Sequence, residues 1–272
     1  MLEKYKATAA FIQEKIKDTP DFAIVLGSGL GALKKEVQSI CTLKYEDIPN
    51  FPQTTVVGHG GSLIYGELEG KKVLMMSGRF HYYEGYSMEQ VTFPFRVFHL
   101  LGIKNLIVSN ASGGVNPSFN VADIMLITDH INMMPEHPLR GKNLDTFGPR
   151  FVDMSVPYDR EMLSIAEAVA KEENIDIKKG VYLGLQGPTF ETPAEYGMVR
   201  ALGGDAVGMS TVPEVIVARH QGMNCFGISI ITDLGGPEIS FAVSHEEVLA
   251  AADKAMPNVI KIVKGVVQRY GV

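Results

Sequence analysis

Short runs of apolar residues recur along the chain, and each ends in small or polar residues. Phe22 to Leu26 precedes Gly-Ser-Gly, Val73 to Met76 precedes Ser-Gly-Arg-Phe-His, and Leu106 to Val108 precedes Ser-Asn-Ala-Ser-Gly-Gly. Ile124 to Ile127, Val181 to Leu185, Ala206 to Met209 and Cys225 to Ile231 repeat the pattern. Runs this short, apolar on both faces and bounded by turn residues, predict buried strands. Helical spacing predicts helices over Met88 to Leu101, Arg160 to Glu173, Thr192 to Leu202 and Val212 to Gln221, with a last helix from His245 to Tyr270 interrupted near Pro257. At the amino end, Tyr5, Ala9, Ile12 and Ile16 share one stripe of a surface helix. Strands alternating with helices predict an α/β protein with a largely parallel or mixed sheet. No repeat, linker or low-complexity segment divides the chain, so one domain over residues 1–272 is expected.

Composition narrows the function classes. With 272 residues, 46% hydrophobic and 21% charged, the chain has the profile of a globular protein with one large core, which excludes extensive disorder. A formal charge of −6 leaves no basic stripe for a phosphate backbone, so nucleic acid is not an expected partner. Cys41 and Cys225 stand far apart, which suggests neither a disulfide framework nor a zinc site and fits a reducing compartment. The first residues mix charges throughout, and no run reaches the ~18 apolar residues of a membrane span. A cytoplasmic location and no membrane partner are therefore expected.

Nearly every polar motif follows the carboxyl end of a strand, where open α/β sheets bind ligands. Gly27-Ser28-Gly29-Leu30-Gly31-Ala32 can cradle an anion, with backbone N–H groups at the start of an expected helix through Lys34 and Glu36. The same string satisfies a dinucleotide-binding pattern, with Glu46 or Asp47 placed to hold a ribose hydroxyl; a plain tight turn is the bland alternative. Arg79 offers a planar two-point contact for phosphate and His81 can assist it, although either can be a satisfied structural group. His59 stands in Gly58-His59-Gly60-Gly61, which also reads as a hairpin turn. Asn110 in Asn-Ala-Ser-Gly-Gly presents an amide to a ligand or caps a helix. Phe190 beside Glu191 suits stacking on and hydrogen bonding to a heterocycle. Thr192, Pro193 and Glu195 read as the capped start of the next helix, leaving Glu191 just outside it. Met209-Ser210 and Thr232-Asp233 add a thioether, hydroxyls and a second carboxylate. No serine-hydrolase elbow, zinc-protease helix or P-loop spacing is present, and no metal site is proposed.

Taken in order, these loops resemble the trimeric purine nucleoside phosphorylase family, whose smaller relative is methylthioadenosine phosphorylase. GSGLG, GHGG, GRFHYYEG, SNASGG, PLRG with FGPRF, GPTFETPAE, VGMSTVPE and SHEEVL carry the likeness from about Phe22 to the last helix. The resemblance implies one α/β domain with a distorted, barrel-like mixed β-sheet surrounded by helices. It also implies a homotrimer that reversibly phosphorolyses purine ribo- and deoxyribonucleosides, a pentosyl transfer serving purine salvage. Inorganic phosphate is then a co-substrate, and no cofactor or metal is implied. Carried over by motif, Ser28, Arg79, His81 and Ser210 bind phosphate, helped by His59 and the backbone at Ala111. Tyr83, Met209 and His245 meet the ribose, and Phe151 reaches in from a neighbouring subunit. Phe190, Glu191, Asp233, Asn110, Val207 and Gly208 surround the base, and Asp233, Glu191 and His81 take the catalytic roles.

One position departs from the pattern. Members selective for 6-oxopurines carry Thr-Asn where this chain has Thr232-Asp233. A carboxylate repels O6 of a 6-oxopurine but accepts from a 6-amino group, and when protonated it donates to N7. The methylthioadenosine relatives have Asp there but lack the Glu retained here as Glu191. The two acids thus point to different bases, and inosine and guanosine are expected as substrates with tolerance for adenosine. The rival functions are a methylthioadenosine- or adenosine-preferring phosphorylase, an NAD-dependent oxidoreductase built on the glycine-rich loop, a non-catalytic nucleoside or phosphate binder, and a nucleoside hydrolase.

Overall fold

The computed structural model describes residues 1–28, 30–53, 61–236 and 245–271, and of His245 the backbone. Among the described residues nine strands form one sheet: β1 (Phe22–Leu26), β2 (Gln38–Lys44), β3 (Ser62–Leu68), β4 (Lys71–Ser77), β5 (Asn105–Gly114), β6 (Ile124–Asn132), β7 (Ile177–Gly184), β8 (Ala206–Gly208) and β9 (Asn224–Leu234). The strand order is β2-β3-β4-β1-β5-β8-β7-β6-β9, and β9 pairs back onto β5. Five strands therefore close into a mixed barrel, and β1, β4, β3 and β2 extend from it as an open flap. This is the barrel-like mixed sheet that the loop motifs imply. Closure comes from β9 running parallel to β5 along ten registered pairs, Asn105 with Asn224 through Gly114 with Leu234, with a register shift after Ser112.

The helices pack on both faces of this sheet: α1 (Leu2–Ile16), α2 (Met88–Val91), α3 (Phe93–Leu100), α4 (Arg160–Glu172), α5 (Pro193–Ala201), α6 (Val212–His220) and α7 (His245–Arg269). The stripe of α1 buries Tyr5, Ala9, Ile12 and Ile16, as its spacing predicts. Asp159 caps α4 by accepting from the Met162 N–H at 2.9 Å. The α5 cap also forms as the sequence suggests: Thr192 accepts from the Glu195 N–H, the Glu195 side chain reaches back, and Pro193 opens the helix.

Several elements differ from the sequence expectation. The segment Met88 to Leu101 forms two helices that meet at Thr92, because Pro94 has no N–H to donate to the carbonyl one turn back. Conversely, α7 runs unbroken through Pro257, held by a buried face that includes Ala252, Met256, Val259, Ile262, Val263 and Val266. β5 and β6 extend well past the apolar runs into their polar motifs, so Asn110 stands within a strand rather than capping a helix. The glycine-rich loop opens a short 3-10 turn, Gly31–Glu36, and not the expected helix. An anion at this loop would meet local N–H groups without a helix dipole behind them. From there the chain enters β2, an exposed strand antiparallel to β3, and Glu46 and Asp47 fall in a turn after it. A dinucleotide fold needs a helix and a parallel strand at that point, so the oxidoreductase alternative loses its architecture.

Candidate active site

The carboxyl ends of β1, β4, β5, β8 and β9 converge on one cavity of about 380 Å³, within the range of small-ligand sites. Gly27 permits the approach, since a Cβ there would come within 2.6 Å of the Ser109 carbonyl oxygen on β5. Strand β5 serves as a ruler along the wall. Ser109 accepts from Arg79 at one end, and Gly113 registers with Asp233 at the other. Four residues of strand span about 13 Å.

At the Ser109 end, Arg79 is 2% exposed. Its Nε and Nη2 donate to the two carboxylate oxygens of Glu214 at 3.0 and 2.9 Å, and its Nη1 donates to the Ser109 carbonyl at 2.7 Å and to Ser210 Oγ at 3.2 Å. The two-point edge expected to grip phosphate is thus spent on a carboxylate inside the protein. Arg79 still lines the cavity, through its Nη1 side, with its charge balanced from behind by Glu214. Glu214 is absent from the sequence-based site, although an acid within the apolar run Val-Pro-Glu-Val-Ile-Val signals a buried partner.

His81 stands beside Arg79, with its ring stacked on Tyr83 at 4.7 Å. Glu84 Oε1 accepts from the His81 backbone N–H at 2.8 Å and lies 3.0 Å from its Nδ1. Burial holds the imidazole below its usual pKa, against the opposing pull of Glu84. With Nδ1 protonated toward Glu84, Nε2 is the acceptor nitrogen of the ring. Ser210 is placed by an unusual backbone: Thr211, fully buried, has φ 67, and its hydroxyl accepts from Asn110 Nδ2 at 2.8 Å. Asn110 Oδ1 accepts from Ser229, so the amide is fixed by a polar chain across β5 and β9.

The other end carries the aromatic and the acids. Phe190, 45% exposed, and Glu191 border the cavity from the loop before α5, with Val207, Gly208 and Met209 on the facing wall. Gly187 in that loop has φ +69, and a Cβ on it would collide with the Met209 side chain. Burial pushes the Glu191 carboxyl up to about 7, aided by the nearby Asp233 and Glu195. Asp233 is also raised by burial, against stabilising hydroxyls from Thr232, 2.9 Å from Oδ1, and Tyr196, 3.2 Å from Oδ2. Tyr196 and the cavity-lining Val248 of α7 are further contributors the sequence does not single out.

Of the residues selected from sequence, Ser28, Arg79, His81, Tyr83, Asn110, Ala111, Phe190, Glu191, Val207, Gly208, Met209, Ser210 and Asp233 all line this cavity. Phe151 does not: it is 89% exposed beside a separate surface depression that also includes His130 and Arg150. His59 lies outside the described residues, as does the side chain of His245, whose backbone opens α7. Among the described residues no group of three or more His, Cys, Asp or Glu side chains is placed to hold a metal ion.

A family model for the phosphorylase superfamily matches residues 21–268. Purine nucleoside phosphorylase 1 of Bacillus subtilis (strain 168) is 51% identical over 270 residues, 99% of this chain and 100% of that protein. The purine nucleoside phosphorylase of Rattus norvegicus is 50% identical over 260 residues, covering 93% of this chain and 90% of the relative. Among solved structures, the Schistosoma purine nucleoside phosphorylase in complex with hypoxanthine matches with a TM-score of 0.93 at 41% identity, over 99% of this chain and 98% of that one. The Schistosoma mansoni enzyme in complex with adenosine matches with a TM-score of 0.94, also at 41% identity and over 99% and 98% of the two chains.

Proposed function

Because the chain belongs to the purine nucleoside phosphorylases of the phosphorylase superfamily, we propose that the cavity beside β5 holds phosphate, pentose and purine in line, with phosphate at the Ser109 end and base at the Gly113 end. The enzyme is a pentosyltransferase that reversibly converts a purine nucleoside and phosphate to the free base and the pentose 1-phosphate. The observation that carries the site assignment is the division of one cavity between an end lined by Arg79, Ser210 and His81 and an end lined by Phe190, Glu191 and Asp233.

In this reading Ser28, Ser210, the Nη1 side of Arg79 and the backbone at Ala111 bind phosphate, with His59 as a further donor. Because Glu214 neutralises Arg79, the anion is held largely by directed dipoles, leaving its charge available to the reacting sugar. His81 accepts from a protonated phosphate oxygen through Nε2. Tyr83 and Met209 pack on the pentose, and His245 meets its 5′-hydroxyl. Cleavage breaks the bond between the anomeric carbon and N9 as a phosphate oxygen bonds the opposite face. Positive charge develops on the sugar and negative charge on the purine, and hydrogen bonds from the Asp233 side to N7 and at Glu191 to N1 favour that transition state. Phe190, Asn110, Val207 and Gly208 enclose the base. No organic cofactor or metal takes part in this scheme.

Inosine and guanosine are the proposed substrates, with adenosine accepted through Asp233. That the Schistosoma mansoni relative has been solved with adenosine and with inosine supports a pocket of this shape accepting both. The exposure of Phe151 supports its insertion into a neighbouring subunit of a homotrimer. No helix among the described residues is long and apolar enough to cross a membrane, and the reading places the enzyme in the cytoplasm. The test is base release from inosine and adenosine, each with and without inorganic phosphate. Phosphate-dependent release from both is expected, whereas release independent of phosphate means hydrolysis and overturns the proposal. Strict inosine use overturns the adenosine component.

A further inference from the structure

Tyr196 adjoins both acids at the base end of the cavity. Its ring is buried and seated where two glycines leave room: a Cβ on Gly235 would overlap the ring, and one on Gly113 would come within 3.4 Å of its Cε1 and 2.9 Å of Asp233 Oδ2. From this seat the hydroxyl donates to Asp233 Oδ2 at 3.2 Å and also faces Glu191, whose anion it stabilises. Burial and the two acids raise the affinity of Tyr196 for its own proton, so it remains a donor. It has one proton to give and two carboxylates to serve.

The two classes of purine make opposite demands on that pair. A 6-oxopurine presents a donor at N1 and acceptors at O6 and N7. A 6-aminopurine presents an acceptor at N1 and a donor on the amino group. The first needs ionised Glu191 and protonated Asp233; the second needs protonated Glu191 and ionised Asp233. Both arrangements carry one proton on the pair, so the total charge is the same.

Resting on the proposed dual use of inosine and adenosine, we propose that Tyr196 is a specificity-determining positioning residue: its hydroxyl turns to whichever of Glu191 and Asp233 is ionised, so that one shared proton serves either base. With a 6-oxopurine, Glu191 accepts N1–H, Asp233 donates to N7, and Tyr196 donates to Glu191. With a 6-aminopurine, Glu191 donates to N1, Asp233 accepts from the amino group, and Tyr196 donates to Asp233. Exchanging bases moves one proton between the acids through solvent and turns one hydroxyl, with no other atom transferred. Among the described residues, the other polar groups near the pair each serve one acid at most, and Glu191 also receives its own backbone N–H. Glu195 is held by the Thr192 N–H and hydroxyl, Thr232 touches Asp233 alone of the two acids, and α7 contributes apolar Val248. The Arg79–Glu214 and His81–Glu84 pairs belong to the opposite end of the cavity.

The experiment is kcat/KM for inosine and for adenosine as a function of pH at saturating phosphate, in the wild type and in Tyr196→Phe. The wild-type acid limbs are expected to coincide for the two substrates, because both need the same number of protons on the pair. In Tyr196→Phe the acid limb moves to higher pH by about one unit for both substrates, since the single anion has lost a charge-assisted donor. The alkaline limb, read with adenosine because it has no N1 proton to lose, stays in place: before and after losing the second proton, the wild-type pair has the same one donor to lose. A merely structural tyrosine would lower both profiles without moving either limb. Asp233→Asn supplies an independent arm: it fixes a permanent donor at 233, and adenosine use falls at least tenfold relative to inosine. Acid limbs that differ between the wild-type substrates, or one that stays put in Tyr196→Phe, overturn the proposal. So does an unchanged preference in Asp233→Asn, which decides the matter if Tyr196→Phe does not fold. Failure of wild type to cleave adenosine overturns the dual-base reading itself and is thereby distinguished from failure of the Tyr196 role.

Discussion

Replacing Glu214 by glutamine removes one charge from a pair that water does not reach, and the geometry sets the scale of the loss. Both side chains are 2% exposed, and both carboxylate oxygens are engaged by Arg79. Gln can accept one of these two N–H groups, but its amide NH₂ then faces the other donor. The guanidinium keeps its bonds to Ser109 and Ser210 but loses the carboxylate that its Nε and Nη2 both engage. Breaking such a pair costs about 3 kcal/mol. For a chain of this size that lowers Tm by about 5 °C. The guanidinium borders the cavity where phosphate is proposed to sit, so inorganic phosphate should restore Tm more strongly in Glu214→Gln, where it takes over part of the lost carboxylate's role, than in the wild type. Ligand at about a hundred times its Kd adds about 2.7 kcal/mol, enough to recover most of the loss. The assay is thermal unfolding followed by circular dichroism at fixed protein concentration, across a phosphate series. A loss below about 2 °C, or a phosphate-induced rise no larger than in the wild type, refutes the reasoning.

Other expectations follow from features away from that pair. His130, held down to about 4 by burial, binds fewer protons folded than unfolded, so its contribution is present above about pH 6.5 and is lost as pH falls toward 4. Urea unfolding of His130→Gln should lose less stability than the wild type between those pH values, by on the order of 3 kcal/mol at pH 4; an identical pH dependence contradicts this. Gly235→Ala places a methyl group against the Tyr196 ring, and steady-state kinetics should show kcat/KM falling about tenfold or more for both nucleosides, with unaltered rates counting against the crowded contact. Phe151→Ala should raise KM for inosine while changing the free energy of subunit unfolding by no more than about 0.5 kcal/mol, because the side chain is 89% exposed in its own subunit. A single-subunit mass by light scattering with full wild-type activity removes that role.

The strands were legible because their cores are continuous apolar runs, and the α5 start was legible because a capping box is a local code. β2 and β3 escaped notice: Gln38–Lys44 is largely exposed and mixes polar with apolar residues, as an edge strand can. Within the site, residues on strand-end loops could be selected one motif at a time. Glu214 and Tyr196 were not among them, because each acts on a partner distant in the sequence, 135 residues from Arg79 in the first case and 37 from Asp233 in the second. Pro257 shows the opposite limit. Local backbone chemistry predicts a break there, and a helix face buried along its length overrides it.

Closure of the barrel by β9 also bears on how the molecule is made. β5 and β6 both pair with β9, a segment that begins at Asn224, more than a hundred residues after β5 starts. While the chain is being synthesised, those two strands have no partner on that side until most of the polypeptide has emerged. Unpaired strand edges recruit other chains. The interval before Asn224 leaves the ribosome is therefore when this protein is most exposed to aggregation, and the strand that brings Asp233 to the cavity is the one that ends it.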